Sequence, residues 1–270
     1  MINYTELLEK VTDIVRESSK IMKNKDFEVT QKTSACDIVT SADFGVQSFL
    51  YQHLSTLIPS AGFFCEEKDL SDTEKEYIWV IDPIDGTTNF ARGIAECAVS
   101  VALTYNKAPI IGVVYNPFQD HMFTAVKGGG AKLNGKPIHV SDRSFEKSLL
   151  CTAMCVYNKK YAPICFDIIS EAYNLSNDIR RIGTCALELC YIAAGMCELY
   201  FEMRVFTWDF MAGYLILKEA GGVLYGLSGD TPPFGKPTPL VGANNTENYK
   251  KLDDIVRKYK TKIPYEEDDS

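Results

Sequence analysis

Tyr77-Ile78-Trp79-Val80-Ile81 runs without a break into Asp82-Pro83-Ile84-Asp85-Gly86-Thr87-Thr88-Asn89-Phe90. The first five residues are continuously apolar and β-prone, the pattern of a strand buried on both faces, and Asp82-Pro83 predicts its abrupt end. Beyond it, two carboxylates stand three residues apart on a chain that Pro83 holds extended and Gly86 lets turn tightly, so both can converge on one small volume. A divalent cation would relieve their repulsion, and hard carboxylate oxygens suit magnesium. Gly86, Thr87 and Thr88 open a candidate helix whose free N–H groups form a phosphate seat. Taken alone, an Asp-Pro-x-Asp stretch is better read as a polar turn, with Asp82 and Asp85 as caps and Thr87 as an N-terminal helix residue.

Two further acidic positions tilt that balance. Glu66-Glu67 follows the apolar Gly62-Phe63-Phe64-Cys65, which places Glu66 at a strand end, and Trp208-Asp209 begins an apolar helix that runs to Ala220. Singly, these read as a surface carboxylate and a helix N-cap. With Asp82 and Asp85 they make four carboxylates, each at the terminus of an apolar element, where α/β folds gather ligands.

Outward from this stretch, residues 5–22 carry Leu7, Leu8, Val11, Ile14, Val15, Ile21 and Met22 at helical spacing, and Ala42 to Leu57 forms a second periodic segment closed by Pro59. Ala98 to Tyr105, Ile110 to Tyr115 and His121 to Val126 predict closely spaced strands in an antiparallel meander. From Ser148 the texture alternates: strand Leu149–Val156, helix Asp167–Asn174, strand Ile179–Ile182, helix Ala186–Ala194, strand Glu198–Phe201, helix Trp208–Ala220, then Gly221-Gly222 and a strand at Val223-Leu224-Tyr225. The change near Phe145 divides the chain into 1–145, an α+β half, and 146–270, an α/β half. The tail from Tyr265 to Ser270 reads as a short disordered acidic end.

Composition narrows the function. The 270 residues are 46% hydrophobic and 24% charged, with 28 Lys plus Arg against 36 Asp plus Glu and a net charge of −8. A folded soluble protein is expected, and no nucleic-acid or membrane partner, because anionic surfaces are held by clustered Lys and Arg. Nine cysteines without a regular framework, and an N-terminus without a basic or apolar leader, point to a reducing, cytoplasmic setting with buried free thiols.

Other motifs carry less. Gly130 to Lys136 satisfies G-x-x-x-x-G-K, but Pro137 stands where a Ser or Thr should bind magnesium, so Asn134-Gly135 reads as a hairpin turn. No G-x-G-x-x-G occurs, and His53, His121 and His139 are too dispersed for zinc catalysis. Cys185, Cys190 and Cys197 read as core residues.

Together these motifs resemble the inositol monophosphatase family of magnesium-dependent, lithium-sensitive phosphatases. Trp79 to Phe90 is similar to the family's first signature, Trp208-Asp209-Phe210-Met211-Ala212-Gly213 with Glu219 to Gly222 to its second, and Lys32 to Asp43 to the segment carrying its water-orienting carboxylate. The resemblance implies a layered αβαβα sandwich and metal ligation by Glu66, Asp82, the Ile84 carbonyl, Asp85 and Asp209, with two or three Mg2+ ions. It implies that Thr87 and Asp43 orient the attacking water, that the Gly86 and Thr87 amides hold the phosphate, and that Glu202 contacts the sugar-like alcohol; Asp85 and Asp209 also face the substrate. Lys32 could recruit anionic substrate or be a solvated loop lysine. Two departures stand out: the stretch between Glu66 and Asp82 is short, and Cys36 replaces a frequent proline. The implied reaction is attack of metal-activated water on a small cyclitol or sugar phosphate, inositol 1-phosphate first, by a homodimer. A fructose-1,6-bisphosphatase is the alternative within the class, and a regulatory binding protein the alternative outside it; the Thr-Thr-Asn-Phe ending disfavours a nucleotide 3′-phosphatase.

Overall fold

A computed structural model of the chain describes residues 2–24, 26–32, 37–67, 71–156, 158–227 and 229–260. Helix α1 (Tyr4–Ser18) starts where Asn3 caps the Thr5 and Glu6 amides, and buries Leu7, Val11 and Val15. A hairpin of β1 (Val29–Gln31) and β2 (Ile38–Thr40) leads into α2 (Ser41–Leu57). A seven-stranded sheet follows from β3 (Gly62–Cys65), β4 (Tyr77–Asp85), β5 (Ala98–Tyr105), β6 (Ala108–Asn116), β7 (His121–Val126), β8 (Ala131–Leu133) and β9 (Lys136–Ile138), in that spatial order, with the short α3 (Thr87–Ala91) after β4. Only β3 and β4 are parallel; the rest is the expected meander. Asn134 and Gly135, both at positive φ, make the β8–β9 turn.

The second half supplies β10 (Leu149–Ala153), α4 (Ala162–Tyr173), β11 (Asp178–Arg180), α5 (Cys185–Ala193), β12 (Leu199–Val205), α6 (Thr207–Glu219), β13 (Val223–Gly226), β14 (Thr238–Ala243) and α7 (Thr246–Arg257). Its five strands order as β11-β10-β12-β14-β13, with β10 parallel to both neighbours and β14 antiparallel to both of its own.

Three apolar cores stack these parts into five layers. Trp79 and Ile81 of β4 pack with α1 and α2, whereas Ile78 and Val80 of the same strand pack with α5 and α6. The far side of α5 and α6 meets Tyr200, Leu224 and Leu240 of the second sheet, whose outer face is covered by α4 and α7. The order α, β, α, β, α is the expected sandwich, and it explains why α5 and α6 are apolar around their whole circumference. No helix among the described residues is long and apolar enough to cross a membrane.

The structure corrects the reading of the deciding stretch. β4 does not stop at Asp82-Pro83 but continues to Asp85. Asp82 faces Ser100 and Asp85 faces Ala98, so three steps on β4 match two on β5: one residue is inserted as a bulge. Side chains alternate along a strand, so residues three apart would face opposite ways; the extra residue turns both aspartates to the same side. Pro83, with no N–H to give a ladder, is accommodated in this irregular step. Other differences are of extent, with α1 ending at Ser18, α4 beginning earlier and β10 ending at Ala153, or are whole elements that join the expected ones: the β1–β2 hairpin, β14 and α7. The acidic tail, Cys36 and its neighbours Thr33 to Ala35 lie outside the described residues.

Candidate active site

A cavity of about 400 Å3 opens where β3, β4 and α3 of the first sheet region meet α5, α6 and β12 of the second. Glu66, Asp82, Ile84, Asp85, Gly86, Thr87, Glu202 and Asp209 all line it. The structure therefore brings together every expected ligand and substrate-facing residue, while Asp43 lies behind Thr87 and Lys32 is not among the lining residues. Asp43 is the third residue of α2, fully buried, and its carboxylate accepts from the Thr40 amide and hydroxyl at 2.8 and 2.6 Å. The Thr87 hydroxyl lies 3.3 Å from the other Asp43 oxygen and 2.9 Å from the Ile84 carbonyl.

Each carboxylate is held by a local device. Asp82 accepts from the Ile84 amide at 3.0 Å across the bulge. Asp85 accepts from the Thr184 hydroxyl and from the Ala186 amide at 2.7 Å, so the start of α5 anchors a residue of the other sheet. Asp209, third in α6, turns back to the Phe206 amide at 2.8 Å. Gly86, at φ 88°, turns the chain into α3, and a Cβ there would stand 3.0 Å from the Glu96 carbonyl.

Electrostatics mark the cluster as strained in charge. Burial raises the pKa of Asp82 well above the carboxylate range, and Glu66, Asp85 and Asp209 add to it. Burial likewise raises Asp209, with Asp85 and Glu66 contributing. Asp85 reaches about 6 through burial, opposed by its donors from Thr184 and Ala186. Glu66 is raised by burial and restrained by Lys32, whose ammonium is 3.2 Å away. For Lys32 itself, burial is outweighed by Glu66 and Glu67, which hold its pKa above the ordinary value. Lys32 is engaged by Glu66 and Glu67 and is not among the residues that line the cavity. Burial also lifts Asp43 to about 6 and Glu202 to about 7.

This donor set fits a hard divalent cation: four carboxylates and a backbone carbonyl, buried at mutual electrostatic expense that an oxygen-seeking cation would remove. Among the described residues, no three His, Cys, Asp or Glu side chains are already closed around one point. Glu66 is engaged instead by Lys32, at 3.2 Å.

Several contributors were missed. Gln47 fixes the Glu66-Glu67 turn by exchanging bonds with the Glu67 backbone at 2.9 and 3.2 Å. Glu188, completely buried on α5, accepts from the Ile182 and Gly183 amides at 2.9 and 3.2 Å and so shapes the turn that presents Thr184. Asn89 grips the Ile182 and Glu96 carbonyls from the other side, at 2.9 and 2.7 Å. Thr184 had a signal, a hydroxyl residue just before an apolar helix; Glu188 and Gln47, polar residues on apolar helices, had none.

Comparison with known proteins agrees with this architecture. The model of the inositol monophosphatase family matches residues 2–261. The chain is 38% identical over 231 residues to tomato (Solanum lycopersicum) inositol monophosphatase 3, covering 83% of this chain and 84% of that one. It is 36% identical over 204 residues to the Nus factor SuhB of Escherichia coli K12, covering 75% and 76%. The solved structure of inositol monophosphatase from Anabaena superposes with a TM-score of 0.83 at 28% identity, over 95% of this chain and 97% of that one.

Proposed function

Since the chain belongs to the inositol monophosphatase family and is a phosphatase of that family, we propose that it hydrolyses a small cyclitol or sugar monophosphate, with inositol 1-phosphate the first candidate, in a Mg2+-dependent reaction. The observation that carries this reading is the convergence of Glu66, Asp82, Asp85 and Asp209 on one cavity beside Thr87. Glu66, Asp82, Asp85, Asp209 and the Ile84 carbonyl, which keeps a second lone pair beyond its bond to Thr87, would hold two or three Mg2+ ions. Bound there, the ions would lower the pKa of water and neutralise charge on the entering and leaving oxygens.

The protein's own groups do the positioning. The Thr87 hydroxyl has one proton, which points to the Ile84 carbonyl or to Asp43; its lone pairs are then free to accept a hydrogen bond from a water in the cavity and orient that water for attack. Asp43, itself fixed by Thr40, keeps this hydroxyl in place. The Gly86 and Thr87 amides would hold the phosphate, and Glu202 would accept from the alcohol's hydroxyls.

Residues 1–145 would form the half with most ligands and 146–270 the half that brings Asp209 and Glu202. The eight described cysteines are buried and form no disulfide, which supports a reducing, cytoplasmic setting; lithium sensitivity and a homodimer follow from the family reading. Asp209→Asn tests the assignment: turnover falls at least about a thousandfold while the fold persists, and full activity would sink the metal assignment. A second reading is suggested by the relative named a Nus factor: a partner-binding role on the same fold. Capture of a partner by the Asp209→Asn variant would support it, because such a role survives loss of turnover.

A further inference from the structure

Glu66 and Asp209 reach the cavity from different elements, and their charges repel. One contact joins those elements directly beside them. On β3, Phe63 and Cys65 face the core that holds α1 and α2, whereas Phe64 faces the one that holds α6. Glu66, two residues on and still bonded through its amide to the Ile81 carbonyl at 3.1 Å, keeps the side of Phe64. On α6, Trp208 immediately precedes Asp209. The centres of the Phe64 and Trp208 rings lie 5.1 Å apart and the rings are tilted by 58°, within the range that aromatic pairs favour.

Neighbours fix each ring. Phe206 stacks on Trp208 at 5.0 Å and 3°, and Phe234, in the loop between β13 and β14, packs on Phe64 at 5.4 Å. The amide next in that loop, from Gly235, donates to the Thr207 hydroxyl at 2.9 Å, so one loop touches both sides of the contact. The Trp208 carbonyl accepts from the Ser100 hydroxyl at 3.4 Å, and Ser100 is the residue that faces Asp82 on β5. Farther along α6, the Ala212 carbonyl comes so close to Gly112 of β6 that a Cβ there would stand 2.8 Å from it. Helix α6 is thus seated on the first sheet at its middle and at its start, and the seat beside the carboxylates is aromatic. All four rings are half-buried, so less of the fold's stability rests on them than on the fully buried core.

Repulsion drives uncompensated carboxylates apart, and any separation has to be reversed, at a cost in affinity, when a cation binds. We propose that Phe64 and Trp208 are positioning residues: their ring contact holds the backbones of Glu66 and Asp209 at the spacing a divalent cation needs before the cation arrives. This rests on the Mg2+-dependent reading above and concerns which residues make its site ready, not which residues bind the ion.

Isothermal titration calorimetry of Mg2+ into metal-free protein reads this positioning apart from turnover. Phe64→Leu keeps an apolar side chain but loses the ring, and should weaken Mg2+ binding about two- to tenfold, the worth of one aromatic pair. Phe64→Tyr keeps the ring and should bind like the wild type. Trp208→Leu should weaken binding as well, and the double variant no further than the more affected single one, because both lose the same contact. Tyr51→Leu removes a ring pair of similar geometry, with Phe63 at 4.6 Å, from the opposite face of the same strand; it should lower the midpoint of thermal unfolding and leave Mg2+ affinity unchanged. Equal affinity in the wild type and Phe64→Leu, equal weakening in Tyr51→Leu, or effects that add in the double variant would overturn the inference and leave the metal reading standing. A wild type that binds no Mg2+ overturns the metal reading, and the inference falls with it. If Mg2+ binds but inositol 1-phosphate is not hydrolysed, only the proposed substrate is lost, and the calorimetric comparison still decides. Should Trp208→Leu not fold, Phe64→Leu against Phe64→Tyr carries the test.

Discussion

Glu202→Gln separates what the pocket needs for function from what the fold would prefer. Glu202 lies on β12, half-buried, its carboxylate accepting from the Tyr200 hydroxyl at 2.7 Å. Burial is the main reason its pKa rises from 4.5 to about 7, opposed by Tyr200, reinforced by Asp85 and eased by Arg181. A carboxyl raised in this way favours folding in its protonated form. Its contribution is complete below about 4.5 and is lost as pH climbs through about 7, a change of at most about 3 kcal/mol given its contact with the cavity. Glutamine keeps the volume and an acceptor for Tyr200 but never carries the charge. In chelator at pH 8 the variant should therefore be the more stable protein, its midpoint of thermal unfolding higher by up to about 10 °C. At pH 5 the gap should shrink to below about 1 kcal/mol. Turnover should move the other way, with KM rising because the alcohol loses a charged acceptor. A variant no more stable than the wild type at pH 8, or a gap of equal size at both pH values, would refute the argument.

Two further expectations follow from the contacts. Thr184→Val removes the hydroxyl that Asp85 accepts and that caps the Leu187 amide at 3.4 Å; it should lower stability in urea by about 2 kcal/mol and reduce kcat/KM, while Thr184→Ser retains both. Lys32→Met frees Glu66 from a competing cation, so calorimetry should show Mg2+ binding tightened about fivefold, the equivalent of a pair worth about 1 kcal/mol; unchanged affinity would mean that the ammonium and the metal do not contend for this carboxylate.

The parts legible in the sequence are those where composition and position coincide. Tyr77 to Ile81 reads as a doubly buried strand because it is one, and the apolar run after Asp209 reads as a helix because both of its faces meet sheets. The meander is legible because its turns carry Asn106-Lys107 and Asn134-Gly135, residues suited to positive φ. The parity of β4 is not legible: Pro83 suggests an ending, and only pairing with β5 shows that the strand continues past an inserted residue. β14 hides for a related reason, since Pro239 inside it resembles a turn until the bulge opposite makes its missing N–H harmless. Thr184 gains its meaning from Asp85, 99 positions away, and Glu188 gains its own only from the turn that presents Thr184 to that distant partner. Local pattern holds no record of such distances.

The grip of α5 on Asp85 also sets an order of events. Asp85 belongs to the first sheet, but its hydroxyl and amide donors arrive 99 and 101 residues later in the chain. A nascent or half-folded chain can build the meander and even pair β4 with β5, yet its ligand set stays unfinished until the central helices have docked. Catalysis thereby reports completed assembly: in refolding, hydrolysis should return after the sheet signal in circular dichroism, and a chain released early from synthesis should be silent instead of indiscriminately reactive toward phosphate esters.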